Sequence, residues 1–378
     1  MDIREQRVRF VVAAVRREKP IAELCGEFGI SRPVGYEWLR RYLQGGVPAI
    51  AERSRRPHHS PQRKDPTIEQ RVIELRQRYP DWGARKLRVV LEREGVVLAR
   101  NTIHRILLRH DLIHPDDRHE PATTRFERSA PNELWQMDFK GPKLWHQPVG
   151  PLSVIDDHSR YLVVLQAAGS TRIEAVKEPL IRVFSECGLP NEMLMDHGTP
   201  WWNPQTTGGM TQLSLWLMRQ GINLHFSRIR HPQTQGKVER FHGELQRALA
   251  RRRVLVSDIQ AWLDEFRWEH NHVRPHESLN MATPSTRWSP SLRTYDPHLP
   301  RWEYPANSHV LKVDSSGKIS LKGKHCKISI ALAGEWVRLE QIENRINVYY
   351  CTTLVREIDL GIQRSTMIER WIPLSRKV

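Results

Sequence analysis

Cysteine is scarce and scattered in this chain: Cys25, Cys187, Cys326 and Cys351 show no Cys-x-x-Cys spacing. That pattern offers no zinc finger or disulfide framework, and it fits a reducing compartment. Long apolar runs are missing as well. No stretch reaches the roughly 20 residues of a membrane-spanning helix, and the Arg-rich start carries no signal-peptide apolar region. An intracellular, cytoplasmic protein is therefore expected. Acid is in deficit, with 43 Asp and Glu against 59 Lys and Arg, for a formal net charge of +16. Such an excess, joined to 13 Trp, points to a polyanionic partner and to nucleic acid more than membrane. What is present is enough for real cores: 378 residues, 39% of them hydrophobic, have room for two to four domains.

The segment His231 to His242 passes from turn-forming residues directly into an amphipathic helix. Read as a helix from Gln235, it sets Val238, Phe241, Leu245 and Leu249 on one apolar stripe. At about 100° per residue, Glu239 falls just off that stripe, with Lys237 and Arg240 turned elsewhere. A lone glutamate in that position is ordinarily a solvated surface residue. Two other segments answer it.

The run Glu133 to Phe139 alternates like a strand, yet Asp138 interrupts it. The run Asn191 to Gly198 reads as a short strand ending on Asp196, at the strand mouth where open α/β sheets bind ligands. Asp138, Asp196 and Glu239 converging on one sheet would repel each other unless cations lay between them. Hard oxygen donors without a matching Cys or His set favour Mg²⁺ or Mn²⁺. Two such ions about 4 Å apart serve phosphoryl transfer on nucleic acid.

Four segments carry a resemblance: Trp135-Gln136-Met137-Asp138, Val154 to Tyr161, Asp196-His197-Gly198, and Gln235 to His242. Together they resemble the catalytic core of bacterial insertion-sequence DDE transposases of the retroviral-integrase-like group. The resemblance implies that Asp138, Asp196 and Glu239 are the metal-binding, catalytic triad. One departure is spacing, since 42 residues separate Asp196 from Glu239, and the extra length is expected as a loop over residues 201–209. Asp156 and Asp157 are expected to shape the turn of a hairpin.

The fold expected is multidomain. Residues 1–52 read as an all-α helix-turn-helix domain whose third helix, opened by Ser31, offers Arg32, Tyr36 and Arg40 outward and packs Val34, Trp38 and Leu39 inward. A basic linker, 53–66, leads to a second helix-turn-helix, 67–114. There Arg85 and Lys86 are candidates for the DNA backbone and Arg105 for bases or phosphates, a salt-bridged solvent face being the plainer alternative. A linker at 115–130 precedes a core at 131–288, whose three leading strands followed by alternating helices and strands match an RNase H-like α/β fold. Lys237 and Arg240 are expected at DNA phosphates. His242 is expected either at a phosphate or at a helix core edge. His270, His272 and His276 are read as structural. After a linker at 289–307, short strands over 308–362 suggest a small SH3-like β-barrel, with a basic tail at 363–378.

The resemblance implies binding of double-stranded DNA at the inverted repeats of a mobile element, cleavage at the element ends, and joining of the 3′-OH ends to target DNA. It also implies at least a homodimer on DNA, in a bacterial cytoplasm near the nucleoid. A metal-dependent nuclease that does not join, and a catalytically silent DNA-binding regulator, are the competing readings.

Overall fold

The computed structural model describes residues 3–51, 65–113, 127–141, 149–203, 206, 209–227, 236–252, 258–321, 323–361 and 364–367. The chain divides into two compact units, Met1–Asp65 and Pro66–Val378. Most of the linkers expected at 53–66 and 115–130, and most of the basic tail, lie outside the described residues.

The first unit is trihelical: α1 (Ile3–Val15), α2 (Ile21–Glu27) and α3 (Arg32–Ala49). Phe10, Val11, Leu24, Cys25 and Ile50 form its core. Gly29, at φ 63°, turns the chain between α2 and α3, a conformation open to glycine at little cost. The packing of α3 differs from expectation in one respect. Gly35 is the buried residue and Val34 is exposed, because α3 approaches α1 and α2 so closely that a Cβ at Gly35 would stand 2.6 Å from Cys25 Sγ. Ser31 occupies the N-cap position of α3 without a side-chain capping bond, and the helix breaks at Gly45 and Gly46.

The second unit opens with three helices, α4 (Pro66–Arg78), α5 (Ala84–Arg93) and α6 (Arg100–Arg109). Their apolar stripes meet in a core of Val72, Leu75, Leu87, Leu91, Ile103 and Leu107. Trp82, fully buried, stacks on Tyr79 with ring centroids 4.0 Å apart.

The region expected at 131–288 then alternates as expected: β1 (Leu134–Phe139), β2 (Leu152–Asp156), β3 (Leu162–Gln166), α7 (Ile173–Cys187), β4 (Glu192–Met195), α8 (Gln212–Arg219), β5 (Asn223–Phe226) and α9 (Gly236–Arg252). A further helix, α10 (Ile259–His272), escapes the sequence reading. The five strands order as β3-β2-β1-β4-β5, with β1 antiparallel to β2 and parallel to β4. Strand alternation splits β1 between two faces. Trp135 and Met137 join the cluster containing α7 and α8 residues. Val238, Phe241 and Leu245 of α9 pack with Leu263 and Phe266 of α10 on Ile155, Leu162 and Leu165 of the sheet. Asn271 of α10 accepts the Leu162 N–H at 2.8 Å and donates to the Leu162 carbonyl at 3.1 Å, so its side chain satisfies the edge of β3.

The C-terminal region contributes β6 (His309–Lys312), β7 (Lys318–Leu321), β8 (Lys324–Lys327), β9 (Trp336–Ile342), β10 (Arg345–Tyr350), β11 (Thr353–Asp359) and β12 (Arg364–Met367). They form an open five-stranded sheet, β12-β11-β10-β9-β6, and a separate β7-β8 hairpin. The expected closed SH3-like barrel is not seen among the described residues, because β7 and β8 pair with each other and leave the sheet unclosed. No helix among the described residues is long and apolar enough to cross a membrane.

Candidate active site and nucleic-acid interface

The sheet register brings the two aspartates together. Gln136 of β1 lies beside Leu194 of β4 in parallel pairing. Two residues further on stand Asp138, within β1, and Asp196, one residue past the end of β4, and period-two alternation carried on from the paired residues turns both to the same face. That is the face opposite Trp135 and Met137, the one covered by α9, which packs on β1 and β2.

Burial pushes the Asp138 carboxyl up, the charge of Asp196 adds to this, and Glu239 adds more weakly, reaching about 7. Burial also raises Glu239. Asp138 thus senses both other acids. Asp196 is held by two donors on one oxygen: the Trp201 indole N–H at 2.7 Å and the Gly198 N–H at 2.9 Å. A Cβ at Gly198 would come within 2.9 Å of that carboxylate, so the glycine permits the close turn. Trp201 stands in a turn, within the expected loop, but its side chain belongs to the core, 1% exposed and stacked on Phe139 with centroids 5.4 Å apart. Residues 204, 205, 207 and 208 of the expected loop lie outside the described residues.

Glu239 is exposed on the first turn of α9. Among the described residues no three His, Cys, Asp or Glu side chains stand close enough as placed to hold an ion. The donor set itself, all carboxylate oxygen, suits a hard divalent cation.

Lys237, expected at a phosphate, faces inward, and His242, expected at a phosphate or at a core edge, takes the core-edge position. Lys237 forms an ion pair with the fully buried Asp157, and burial lowers its ammonium to about 8 against the opposing pull of that carboxylate. His242, 6% exposed, places Nε2 3.1 Å from Ser153 Oγ and Nδ1 3.7 Å from Asp138 Oδ2. Burial holds its imidazole down at about 3, hence neutral. The reason is helical phase: His242 follows Phe241 onto the buried side of α9, which runs Val238, Phe241, His242, Leu245 and Ala248.

Asp156 has the expected turn role, accepting from the Ser159 N–H at 2.7 Å and the Asn132 N–H at 2.8 Å. Asp157 does more than a turn requires. It accepts from Gln136 Nε2 at 2.8 Å and from the Arg128 N–H at 2.8 Å, and so joins β1 to the start of α9 through Lys237.

Arg32, Tyr36 and Arg40 are exposed on the first unit, Arg40 bonding Glu37 at 2.6 Å. In the second unit Arg85, Lys86 and Arg240 line one cleft of about 840 Å³ between α5, α6 and α9. Arg105 is exposed and outside the lining of that cleft. The sequence reading missed Arg100, His104 and Arg247, which also line it. The available signal was the stripe Gly236, Arg240, Gly243, Arg247, spaced at three and four along α9.

The helical module is tied to the core by buried charge. Asp81, in the turn before α5, accepts from Arg252 and from Arg274, each at 2.8 Å. Arg274, 2% exposed, also lies 3.3 Å from Glu244. Burial alone would raise Asp81, but Arg274 and Arg252 more than offset it and hold the carboxyl low.

Comparison with known proteins follows the same divisions. Models described as "Integrase core domain" match residues 128–232 and 220–284. A "Helix-turn-helix domain" model matches 6–58, a "Homeodomain-like domain" model 34–107, and the "IS481 family transposase, C-terminal domain" 308–366. The chain is 25% identical over 234 residues to the insertion element IS407 uncharacterized 31.7 kDa protein of Burkholderia multivorans, covering 60% of this chain and 82% of that protein. It is 24% identical over 229 residues to the transposase for transposon Tn552 of Staphylococcus aureus, covering 53% of this chain and 45% of that protein. Among solved structures, the HTLV-2 integrase catalytic core domain in complex with magnesium is similar at 15% identity and a TM-score of 0.33, covering 42% of this chain and 97% of that one.

Proposed function

This chain belongs to the insertion-sequence DDE transposases with an integrase core, and we propose that it binds the inverted repeats of a mobile element, cuts at their ends and joins the freed 3′-OH to target DNA. The observation that carries the reading is the register of β1 against β4, which sets Asp138 beside Asp196 under the helix that bears Glu239. Asp138, Asp196 and Glu239 would hold Mg²⁺ or Mn²⁺. A bound pair of such ions supplies activation of the attacking water or 3′-OH and offsets charge developing on phosphorus.

The chain's own residues prepare that site. Trp201 and Gly198 fix one oxygen of Asp196, and the other is assigned to the cation. Neutral His242, braced on Ser153, backs Asp138 without adding positive charge that would compete with a cation. Arg32, Tyr36 and Arg40 are assigned to a major groove. Arg85, Lys86, Arg105 and Arg240 are assigned to DNA nearer the cut. Two element ends must be brought together, so the working form is at least a homodimer, and the C-terminal strands are assigned to DNA or to the neighbouring subunit.

The test is incubation of the purified chain with a labelled duplex carrying its flanking repeat and a supercoiled plasmid, with Mg²⁺, Mn²⁺ or EDTA. Metal-dependent nicking with strand joining is expected. Nicking without joining under either metal would replace the transposase reading with a nuclease, and binding without nicking would replace it with a regulator.

A further inference from the structure

The cleft between the second helical module and α9 has two walls from distant parts of the sequence. Arg85 and Lys86 of α5 and Arg100 and His104 of α6 form one, and Arg240 and Arg247 of α9 the other. The walls are fixed to each other. Arg274 in the floor pairs with Asp81 and Glu244, Arg252 with Asp81, and Arg93 Nη1 donates to the Val273 carbonyl at 2.9 Å.

These pairings consume the acids of the cleft. Asp81 and Glu244 are engaged by Arg274, and Glu277 lies 3.7 Å from Arg85. Lys86, Arg100, Arg240 and Arg247 form no ion pair among the described residues. Six cations, Arg85, Lys86, Arg100, Arg240, Arg247 and Arg274, line the concavity against three carboxylates, an excess of positive charge that an anion relieves. Burial, with the nearby Arg274, lowers the Lys86 ammonium to about 8, while Glu244, Asp81 and Glu277 pull the other way. A chain of phosphates matches this layout better than a single anion, because Arg240 and Arg247 are spaced two turns apart along α9, roughly 10 Å at the helical rise.

We propose that this cleft is a phosphodiester track: it holds the backbone of one DNA strand, gripped by Lys86 and Arg100 from the helical module and by Arg240 and Arg247 from α9. The track rests on the DNA-cutting reading above. It leads to the reacting carboxylates, since Glu239 adjoins Arg240 on α9 and is turned from it by about 100°. The second module is then a fixed wall of the catalytic unit as well as a reader of sequence, and the distance between recognised bases and cut site is set by the Asp81 and Arg274 pairs.

The test measures binding of the full chain to fluorescent duplexes in EDTA, by anisotropy, as salt is raised. One duplex carries the element end and one is of scrambled sequence. R100Q/R240Q removes one cation from each wall. R182Q/R219Q, on exposed arginines of α7 and α8, removes equal charge elsewhere. The track predicts that R100Q/R240Q weakens both duplexes by about tenfold or more and lowers the slope of log affinity against log salt by roughly 2, at about 0.9 per lost phosphate contact. R182Q/R219Q keeps the wild-type slope. Wild-type slope in R100Q/R240Q, or an equal loss in both variants, overturns the track while leaving the transposase reading intact. Failure of the wild-type chain to bind either duplex overturns that reading itself, and the track with it. Thermal melting of each variant separates lost contacts from lost folding.

Discussion

Lys237 and Asp157 form a buried ion pair that fastens the start of α9 to the sheet. Lys237 precedes Glu239 by two residues, and Gln136, which also donates to Asp157, precedes Asp138 by two. One carboxylate therefore sets the relative position of the strand and helix that carry two of the three acids. Removing Lys237 leaves Asp157 buried without its ion-pair partner. Breaking a buried pair from one side costs about 3–5 kcal/mol, so K237M is expected to destabilise the chain by an amount in that range. The double variant K237M/D157N removes both charges and is expected to recover more than half of the loss. Chemical denaturation of the two variants checks this, and a double variant no better than K237M would show that the pair is not the reason.

The acids themselves give the next expectation. D138N, D196N and E239Q each keep the size of the side chain and remove its charge. Cleavage of an end-carrying duplex is expected to fall below detection in each, while anisotropy shows binding in EDTA within about twofold of wild type, since none of the three contacts a phosphate in the assigned layout. A variant that still cuts at close to the wild-type rate removes its residue from the triad.

Much of this was legible in the residues. The strand parity that puts Asp138 and Asp196 on one face follows from period-two alternation around Trp135, Met137, Met193 and Met195. The phase of α9 followed from Val238, Phe241 and Leu245. What was hidden depended on partners far away in sequence. Lys237 reads as a surface cation until Asp157 is known to stand opposite it. His242 reads equally as a phosphate contact or a core-edge residue until Ser153 is known to face it. Trp201 sits among Pro and Gly and so reads as loop, yet its indole is committed to Asp196 and its ring to Phe139. Helix α10 was missed because Asn271 and Gln260, polar in sequence, serve the edge of β3 as hydrogen-bonding groups.

His270 makes stability depend on pH. Its ring is 1% exposed, with Nε2 3.1 Å from the Arg160 carbonyl. Burial lowers it to about 4, Glu244 opposes this and Arg274 reinforces it. The folded value lies below the ordinary 6.5, so between the two the unfolded chain binds the proton and the folded chain does not. Stability is therefore complete above pH 6.5 and is lost as pH falls toward 4, by roughly 3 kcal/mol at about 1.4 kcal/mol per unit. His276, also pushed down by burial, adds to the same window. Denaturant midpoints from pH 8 to 4 check the slope, and H270Q is expected to flatten it; an unchanged slope in H270Q would assign the effect elsewhere.

Asp81 acts in a lower window. Its folded carboxyl is held below the usual 3.8, so its contribution is present above that value and is lost as pH falls through the depressed one. D81N at neutral pH removes the charge that Arg252 and Arg274 share, with a loss of about 3–5 kcal/mol expected for breaking a buried pair from one side. The loss should concentrate where the helical module meets the core. Hydrogen exchange is expected to quicken in α5 and in residues 273–276 while β1 and β4 keep their protection. Uniform quickening across the unit would refute a local tie.

Gly35 sets two effects against each other. An alanine in mid-helix is favoured over glycine by about 1 kcal/mol, and α3 would gain that. Against it, the added methyl would lie 2.6 Å from Cys25 Sγ and 2.8 Å from Phe10, both in the core of the first unit. Overpacking of this kind typically costs about 1–3 kcal/mol, and neither neighbour is a flexible surface group that can swing away. The steric effect is expected to win, so that G35A is less stable by roughly 1 kcal/mol. Shortening the opposing side chain should reverse the sign: in a C25A background the same substitution gains space where Sγ stood, and G35A is then expected to be neutral or stabilising. Equal destabilisation in both backgrounds would mean that the contact with Cys25 is not what keeps glycine there, and would leave Phe10 as the residue that limits the approach of α3.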